Sequence, residues 1–333
     1  MSDRPYIGGQ AVIEGVMMRS PKSFVVAVRR PDGTIAIREQ PWETLLGNLK
    51  FLRWPFFRGA MTLVESLHNG YSALNFSAEH GMPPEEGGRG PAAASGKSGG
   101  GSGLMMTVAT VFAVGLFIAV PHLLTYLVGR FVGPAMDTNG PLFHLVDGVI
   151  RIGVLVGYMA ALSTTKDAQR LFQYHGAEHK AIWAYESKLP LTVENAKKFT
   201  TEHPRCGTSF LFIVVFVAVL VHIALIPLVP RMHANDLINN LLLVLVKIPM
   251  ALPIAGIAYE LQRISAKESC PSWVKLLVKP GIWLQGITTK EPSDDQLEIA
   301  LLSLERALAR EQGAPKAEEG VTIYPSFELA KAA

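Results

Sequence analysis

The stretch FQYHGAEHKAIWAYE, residues 172–186, places His175 and His179 four residues apart, with Glu178 directly before the second. On a helix, residues four apart share a face, so both imidazoles are able to reach one ion. The order H-x-x-E-H is that of the inverted zincins, in which two histidines bind zinc and the glutamate activates water. Glu186, seven residues beyond His179, falls on the same face two turns along and is a further candidate ligand. The opposing reading is two solvated histidines on a wet helix.

A second cluster weakens that opposing reading. TEHPRCGTS, residues 201–209, holds His203 and Cys206 in an H-x-x-C spacing, two good donors for zinc or a similar divalent metal. Pro204 favours an extended turn. Thr208 or Ser209 is placed to cap the apolar helix that follows, and Cys206 then sits near its positive dipole end, which favours thiolate. Two more carboxylates are candidates: Glu14, between apolar strand residues and Gly15, and Glu260, in YELQR. Either completes a coordination shell or pairs with Arg19, Arg58 or Arg263. Cys270 carries no comparable signal.

These residues need elements to position them. Of 333 residues, 49% are hydrophobic and 18% charged, too apolar for an ordinary soluble domain. Four runs, 104–129, 142–162, 208–229 and 237–258, reach the roughly 20 residues a helix needs to cross a bilayer. Four such runs in one chain read as membrane spans rather than as buried core helices. The formal net charge of +3 gives no case for nucleic acid as a partner. Of the 31 Lys and Arg, 27 lie in residues 1–103, 163–206 and 259–333, which share one side of a four-span topology. The positive-inside rule makes that side cytoplasmic. Both termini and the central loop are therefore expected there, in a multi-pass protein of the inner (plasma) membrane. MSDRPYIGGQAVIEG has no apolar signal-peptide core. Cys206 and Cys270 fall on the reducing side, which argues against a structural disulfide.

The expected fold is a polytopic α-helical membrane protein with four transmembrane helices, a small N-terminal cytoplasmic β-unit and cytoplasmic helices. Residues 1–41 make the β-unit, since 23–40 alternates apolar and polar residues about Pro31-Asp32-Gly33, a hairpin signal. Residues 42–80 read as amphipathic or interfacial helices broken at Pro55, and the Gly/Ser/Pro-rich 81–103 as a flexible linker. Residues 104–162 carry spans 1 and 2, 163–207 the cytoplasmic loop with the His and Cys motifs, and 208–258 spans 3 and 4. Residues 259–333 form a C-terminal helical segment, with Ser293 and Gln296 as a capping box before an apolar stripe from Leu297 to Leu308. Asp147, Arg151 and Lys247 lie inside spans, where charge is costly and functional by default. They read here as an intrahelical ion pair, with Lys247 snorkelling or facing other helices, rather than as an ion path.

Five blocks carry a family resemblance. GGQAVIEGVMMRSP (8–21), FFRG (56–59), YHGAEHK (174–180), HPRCGTSF (203–210) and PGIWLQ with TTKEPSDDQLEIA (280–300) closely resemble the YqhQ family. That is a bacterial membrane family of unknown function labelled a predicted metal-dependent enzyme. The resemblance implies that His175, His179, His203 and Cys206 belong to the site, and it names no substrate.

Three classes of function are therefore expected to compete. A membrane metal-dependent hydrolase, with Glu178 as catalytic base, acts on a peptide or lipid-linked substrate. An assembly or scaffold factor uses a structural metal and a membrane-protein partner. A small transporter uses Asp147, Arg151 and Lys247. The lipid bilayer is a partner in all three, and zinc is the expected ion in the first two.

Overall fold

A computed structural model of the chain describes residues 4–42, 54, 57–83, 101–133, 136–265, 269–313 and 320–333, with residues 101–106 described by backbone alone. It has two parts. An α/β head contains the His and Cys motifs, and a bundle contains four helices long and apolar enough to cross a membrane.

The head is built on a five-stranded antiparallel meander, β1 (Gly8–Val12), β2 (Gly15–Arg19), β3 (Ser23–Arg29), β4 (Ile35–Pro41) and β5 (Gly320–Tyr324), in that spatial order. The expected hairpin is β3–β4, with Ala27 opposite Ile37 and Arg29 opposite Ile35. The fifth strand is a departure from the expected all-helical C-terminus. GVTIY pairs with β4, Ile35 opposite Tyr324, about 290 positions away in sequence, and no neighbouring strand announces it. Successive strand residues point to opposite faces, so the sheet needs cover on both sides. On one face Val16, Met18, Val25, Ala27, Ile35 and Ile37 pack against α5 (Lys166–Glu186) and α10 (Asp294–Glu311). On the other, Val12, Phe24, Val26 and Val28 pack against Ala73 and Phe76 of α1 (Phe57–Gly81).

α10 forms as its sequence directs. Ser293 and Gln296 make the capping box, and Leu297, Ala300, Leu301 and Leu304 are buried against the sheet. α1 packs on protein at both ends, Gly59 against Gly256 and Tyr259 of α8 and Phe76 against the sheet, while Leu67 between them is exposed. Residues 43–53, 55 and 56 of the expected amphipathic region, and 84–100 of the expected linker, lie outside the described residues.

The candidate spans are Thr107–Val132, Pro141–Leu162, Gly207–Leu228 and Asp236–Ser265, close to the runs read from sequence. The first comprises most of α2 (Gly101–Val114), a π-helical segment (Gly115–Ala119) and α3 (Val120–Val132). α4 (Pro141–Leu162), α7 (Gly207–Leu225) and α8 (Asp236–Ser265) are the others. α4 packs between α3 and α7, and α8 packs against α7 and α3, closing the bundle; α9 (Ser272–Thr288) lies along α7 and leads back to the head.

The head meets the site along α5, which begins at Thr165, whose hydroxyl accepts the Ala168 N–H. Gly176, inside the H-G-A-E-H stretch, faces the chain at 288–291, and a Cβ there would run into the Lys290 carbonyl oxygen. Lys290 N–H donates to the Phe172 carbonyl at 2.9 Å, and Lys180 pairs with Glu291 at 2.5 Å, clamping helix to strap. Gly176→Ala is expected to destabilise the protein by about 1–3 kcal/mol, the usual penalty for overpacking. Thermal unfolding in detergent checks this; an unchanged melting temperature would mean that the strap moves aside freely.

Candidate functional site

Five side chains of the expected site sit where α5, the 200–206 loop and the start of α7 meet. His175 and His179 lie one turn apart on α5, with ring centroids 4.4 Å apart. Cys206 caps α7, and its Sγ accepts the Thr208 N–H at 3.4 Å. The cap is therefore the cysteine, and not Thr208 or Ser209 as the sequence suggested. Sulfur at that position faces the positive end of the helix dipole. His175 Nε2 lies 3.2 Å from Cys206 Sγ, and one ligand atom from each of His175, His179 and Cys206 lies within 4.8 Å of the other two.

Both histidines are held from behind. His175 Nδ1 donates to the Thr288 carbonyl at 2.8 Å, and His179 Nδ1 to the Thr201 carbonyl at 2.5 Å. A carbonyl on Nδ1 fixes the tautomer and turns Nε2 towards the cluster, the arrangement typical of metal-ligating histidines. Glu178, only 5% exposed, packs across from Gly9 of β1, where a Cβ would stand 2.7 Å from its carboxylate oxygen. Among the described residues its carboxylate has no hydrogen-bond donor, yet His179, His175, Cys206 and His203 are all close enough to act on its charge.

The electrostatics form one coupled set. Burial works to keep the Cys206 thiol protonated, but His175, through its charge and hydrogen bond, and His179 outweigh it and hold the thiol well below its usual range. Burial likewise opposes charge on His175; the Cys206 sulfur beside it prevails and raises that imidazole to about 9. Burial pushes the Glu178 carboxyl up, partly countered by His179 and His175. His203 is pushed down to about 4 by burial and by His179. The neutral His203 ring is close to His179, 5.6 Å between centroids, but its nitrogens are directed elsewhere. Nδ1 accepts the Arg205 N–H at 3.2 Å, and Nε2 faces Glu186 at 3.4 Å.

The other expected ligands are not brought to the cluster. Glu186 is ion-paired with Arg205 as well as facing His203. Glu14 is held by Arg170, 2.6 Å from Nη2, and by the Tyr174 hydroxyl at 3.3 Å. Glu260 forms a bidentate pair with Arg58 at 2.6 Å, as the alternative reading of that residue allowed. Cys270 is a buried free thiol outside the cluster.

Sequence reasoning did not find the groups that hold the site in place. The Thr201 and Thr288 carbonyls are backbone atoms, with no side-chain signature. Gln285, inside the PGIWLQ block, is fully buried and binds the loop through three contacts. It accepts from His203 N–H at 2.8 Å and donates to the His203 carbonyl at 2.8 Å and Ser209 Oγ at 2.7 Å. Trp183 Nε1 donates to the Glu202 carbonyl at 2.8 Å and stacks on Phe199.

A sheet-based head with a largely buried His–His–Cys cluster, joined to four helices of membrane-spanning length, defines a class of protein with a candidate metal site beside a helical bundle. Within that class, residues 54–310 match the family described as Protein of unknown function (DUF1385), and the chain is 35% identical over 321 residues to the uncharacterized protein YqhQ of Bacillus subtilis (strain 168), covering 92% of this chain and 93% of that one. The chain belongs to this family. No solved structure matches it.

Gln285→Leu is expected to release the 201–206 loop, because it leaves the His203 N–H unpaired at about 1–3 kcal/mol, while the His203 carbonyl keeps only the Cys206 N–H. Trypsin cleavage after Arg205 should speed up about tenfold or more, since each 1.4 kcal/mol is a factor of ten. An unchanged rate would show that the loop is held without Gln285.

Proposed function

We propose that this chain is a multi-pass membrane metallohydrolase, with a zinc or similar divalent ion held by His175, His179 and Cys206 and with Glu178 as its base. The observation that carries the proposal is the anchoring of both Nδ1 atoms on carbonyls, which leaves two Nε2 atoms and a thiolate converging beside a buried carboxylate with no hydrogen-bond donor among the described residues. Two imidazoles and one thiolate are a fitting donor set for zinc, and three protein ligands leave a fourth position open, as in catalytic rather than structural sites. The orientation of His203, with Nδ1 and Nε2 both engaged elsewhere, supports an open site over the closed four-ligand site of a scaffold protein. A bound zinc supplies Lewis acidity, lowering the pKa of a coordinated water to about 7.

The chain's own residues do the rest. His175 and His179 keep fixed tautomers. Cys206 remains thiolate at the α7 N-terminus. Glu178 takes a proton at a carboxylate oxygen from the attacking water and delivers it to the leaving group, a role worth typically about 10²–10⁴ in rate. Packing against Gly9 excludes water from one side of that carboxylate. The substrate is expected to be a peptide or lipid-linked molecule, because the cluster lies at the start of α7, one end of a candidate span. A second reading rests on the 3.2 Å His175–Cys206 contact, a thiolate–imidazolium pair that acts as a nucleophile without metal.

Purified protein is expected to hold about one zinc per chain, and the double variant His175→Ala, His179→Ala to lose it. Glu178→Gln should keep the metal and the fold but fail to complement a deletion strain. Full complementation by Glu178→Gln would rule out catalysis by this motif, and active protein without metal would favour the thiolate pair.

We further place both termini and the site on the cytoplasmic side of the inner membrane. The 27-of-31 basic bias supports this, and so does the pairing of β5 with β4, which requires an even number of crossings between them. A periplasm-active reporter fused after residue 333 is expected to be silent; strong activity would reverse the orientation.

A further inference from the structure

Asp147 and Arg151 pair at 2.8 Å on α4, and Lys247 of α8 turns into the bundle, as the sequence reading expected. That pairing leaves the bundle core unbalanced. Lys247 Nζ lies 3.1 Å from Asp147 Oδ2 and 2.8 Å from His122 Nδ1, and His122 of α3 is 3.7 Å from Asp147 Oδ1. One carboxylate thus faces an arginine and a lysine. The other titratable groups turned inwards are histidines, His122 on α3, His144 on α4 and His222 on α7, all at most 3% exposed. α2 and the π-helical segment carry no ionisable side chain, and Lys275 and Lys279 of α9 are exposed. With both cations protonated the core carries one uncompensated positive charge, an expensive state in an apolar bundle. With Lys247 as a neutral amine, the charges cancel. Arginine cannot take that part, because guanidinium does not deprotonate in proteins. One proton is therefore the difference between the charged and the neutral core.

Among the described residues, the same region holds the densest group of unpartnered polar atoms. His122 Nε2, both ring nitrogens of His144, His222 Nε2, Asp147 Oδ1, Arg151 Nε and Asn240 Oδ1 are buried without a hydrogen bond. Native structures satisfy nearly all such atoms, so seven in one bundle core call for an explanation. They also extend from the core towards one end of the bundle. His144, Asp147 and Arg151 share one face of α4 at spacings of three and four, and Asn240 lies two turns before Lys247 on α8. His144 is near the start of α4, Asn240 near the start of α8 and His222 near the end of α7, all at the bundle end remote from Cys206. His144 and His222 rings are 6.2 Å apart.

We infer that Asp147, Lys247 and the three histidines form a proton-binding site in the bundle core, which exchanges with the bundle end marked by His144, His222 and Asn240. A proton carried in by a hydronium ion leaves that water as its O–H bond breaks and adds to the lone pair of the Lys247 amine, and the resulting ammonium is held by Asp147. The inference rests on the membrane-spanning reading of the bundle and is independent of the metal.

Full-length protein with ¹³C-labelled lysine, in phosphatidylcholine–phosphatidylglycerol nanodiscs, tests it by NMR. One lysine resonance, lost in Lys247→Met, is expected to titrate separately from the surface lysines over about pH 5–10. Asn240→Leu should slow its response to a pH jump about tenfold while leaving the end point unchanged. A Lys247 resonance that titrates with the surface lysines, or does not titrate at all, overturns the inference. Should Lys247→Met fail to fold, Lys247→Arg removes the same resonance and retains the charge. The His175→Ala, His179→Ala variant leaves the titration in place even where metal is lost. Protein recovered in the soluble fraction without lipid would instead defeat the membrane reading.

Discussion

Two hydrogen bonds, from His175 Nδ1 to the Thr288 carbonyl and from His179 Nδ1 to the Thr201 carbonyl, fix the geometry on which the candidate site depends. An imidazole on a helix surface samples several rotamers; one whose ring N–H is bound to the backbone keeps a single orientation. One carbonyl comes from the end of α9 and the other from the loop before α7, and the two segments touch where the Thr289 hydroxyl meets that of Thr201 at 3.2 Å. The position of α5 relative to both segments therefore sets the distance between the rings and Cys206. Gly176 allows the close approach on the Thr288 side, and Gln285 together with Trp183 holds the loop on the other. The sheet enters through β1, where Gly9 makes room for Glu178.

The polar groups of the bundle follow a different economy from those of the head. In the head, three pairs are matched one to one: Glu186 with Arg205, Glu14 with Arg170 and Lys180 with Glu291. In the bundle, one carboxylate is shared by Arg151 and Lys247, with several nitrogens left unpaired. The head's arrangement fits a rigid site. The bundle's arrangement is that of a region whose charge state is free to change.

The candidate site was legible in sequence as far as side chains carry it. H-x-x-E-H and H-x-x-C name His175, Glu178, His179 and Cys206, and the structure brings them together because α5 is helical and the loop returns to it. His203 illustrates the limit. Its spacing from Cys206 marks it as a ligand, but the Arg205 N–H engages one nitrogen and Glu186 faces the other, and neither contact has a sequence period. Glu14 and Glu260 were candidates by location alone, and each found an arginine first. The four long apolar helices were plain from length and hydropathy. The β3–β4 hairpin was plain from alternation about Pro31-Asp32-Gly33. β5 was not, because a five-residue strand whose partner lies about 290 positions away has no local cue. The carbonyl anchors stayed hidden because they are backbone atoms, and Gln285 because two of its three side-chain contacts are to the backbone of a distant loop.

The sheet's last strand also sets an order of events during synthesis. β1 to β4 are translated first, yet β4 keeps an open edge until residues 320–324 leave the ribosome. By then every helix of the bundle has been made, and α5, α9 and α10 are available to dock. The edge of β4 is therefore uncovered until late in synthesis, and an interrupted chain leaves it exposed to other strands. A truncated product would be marked for aggregation or proteolysis by that bare edge, so the C-terminal strand serves the finished protein as a seal of completeness.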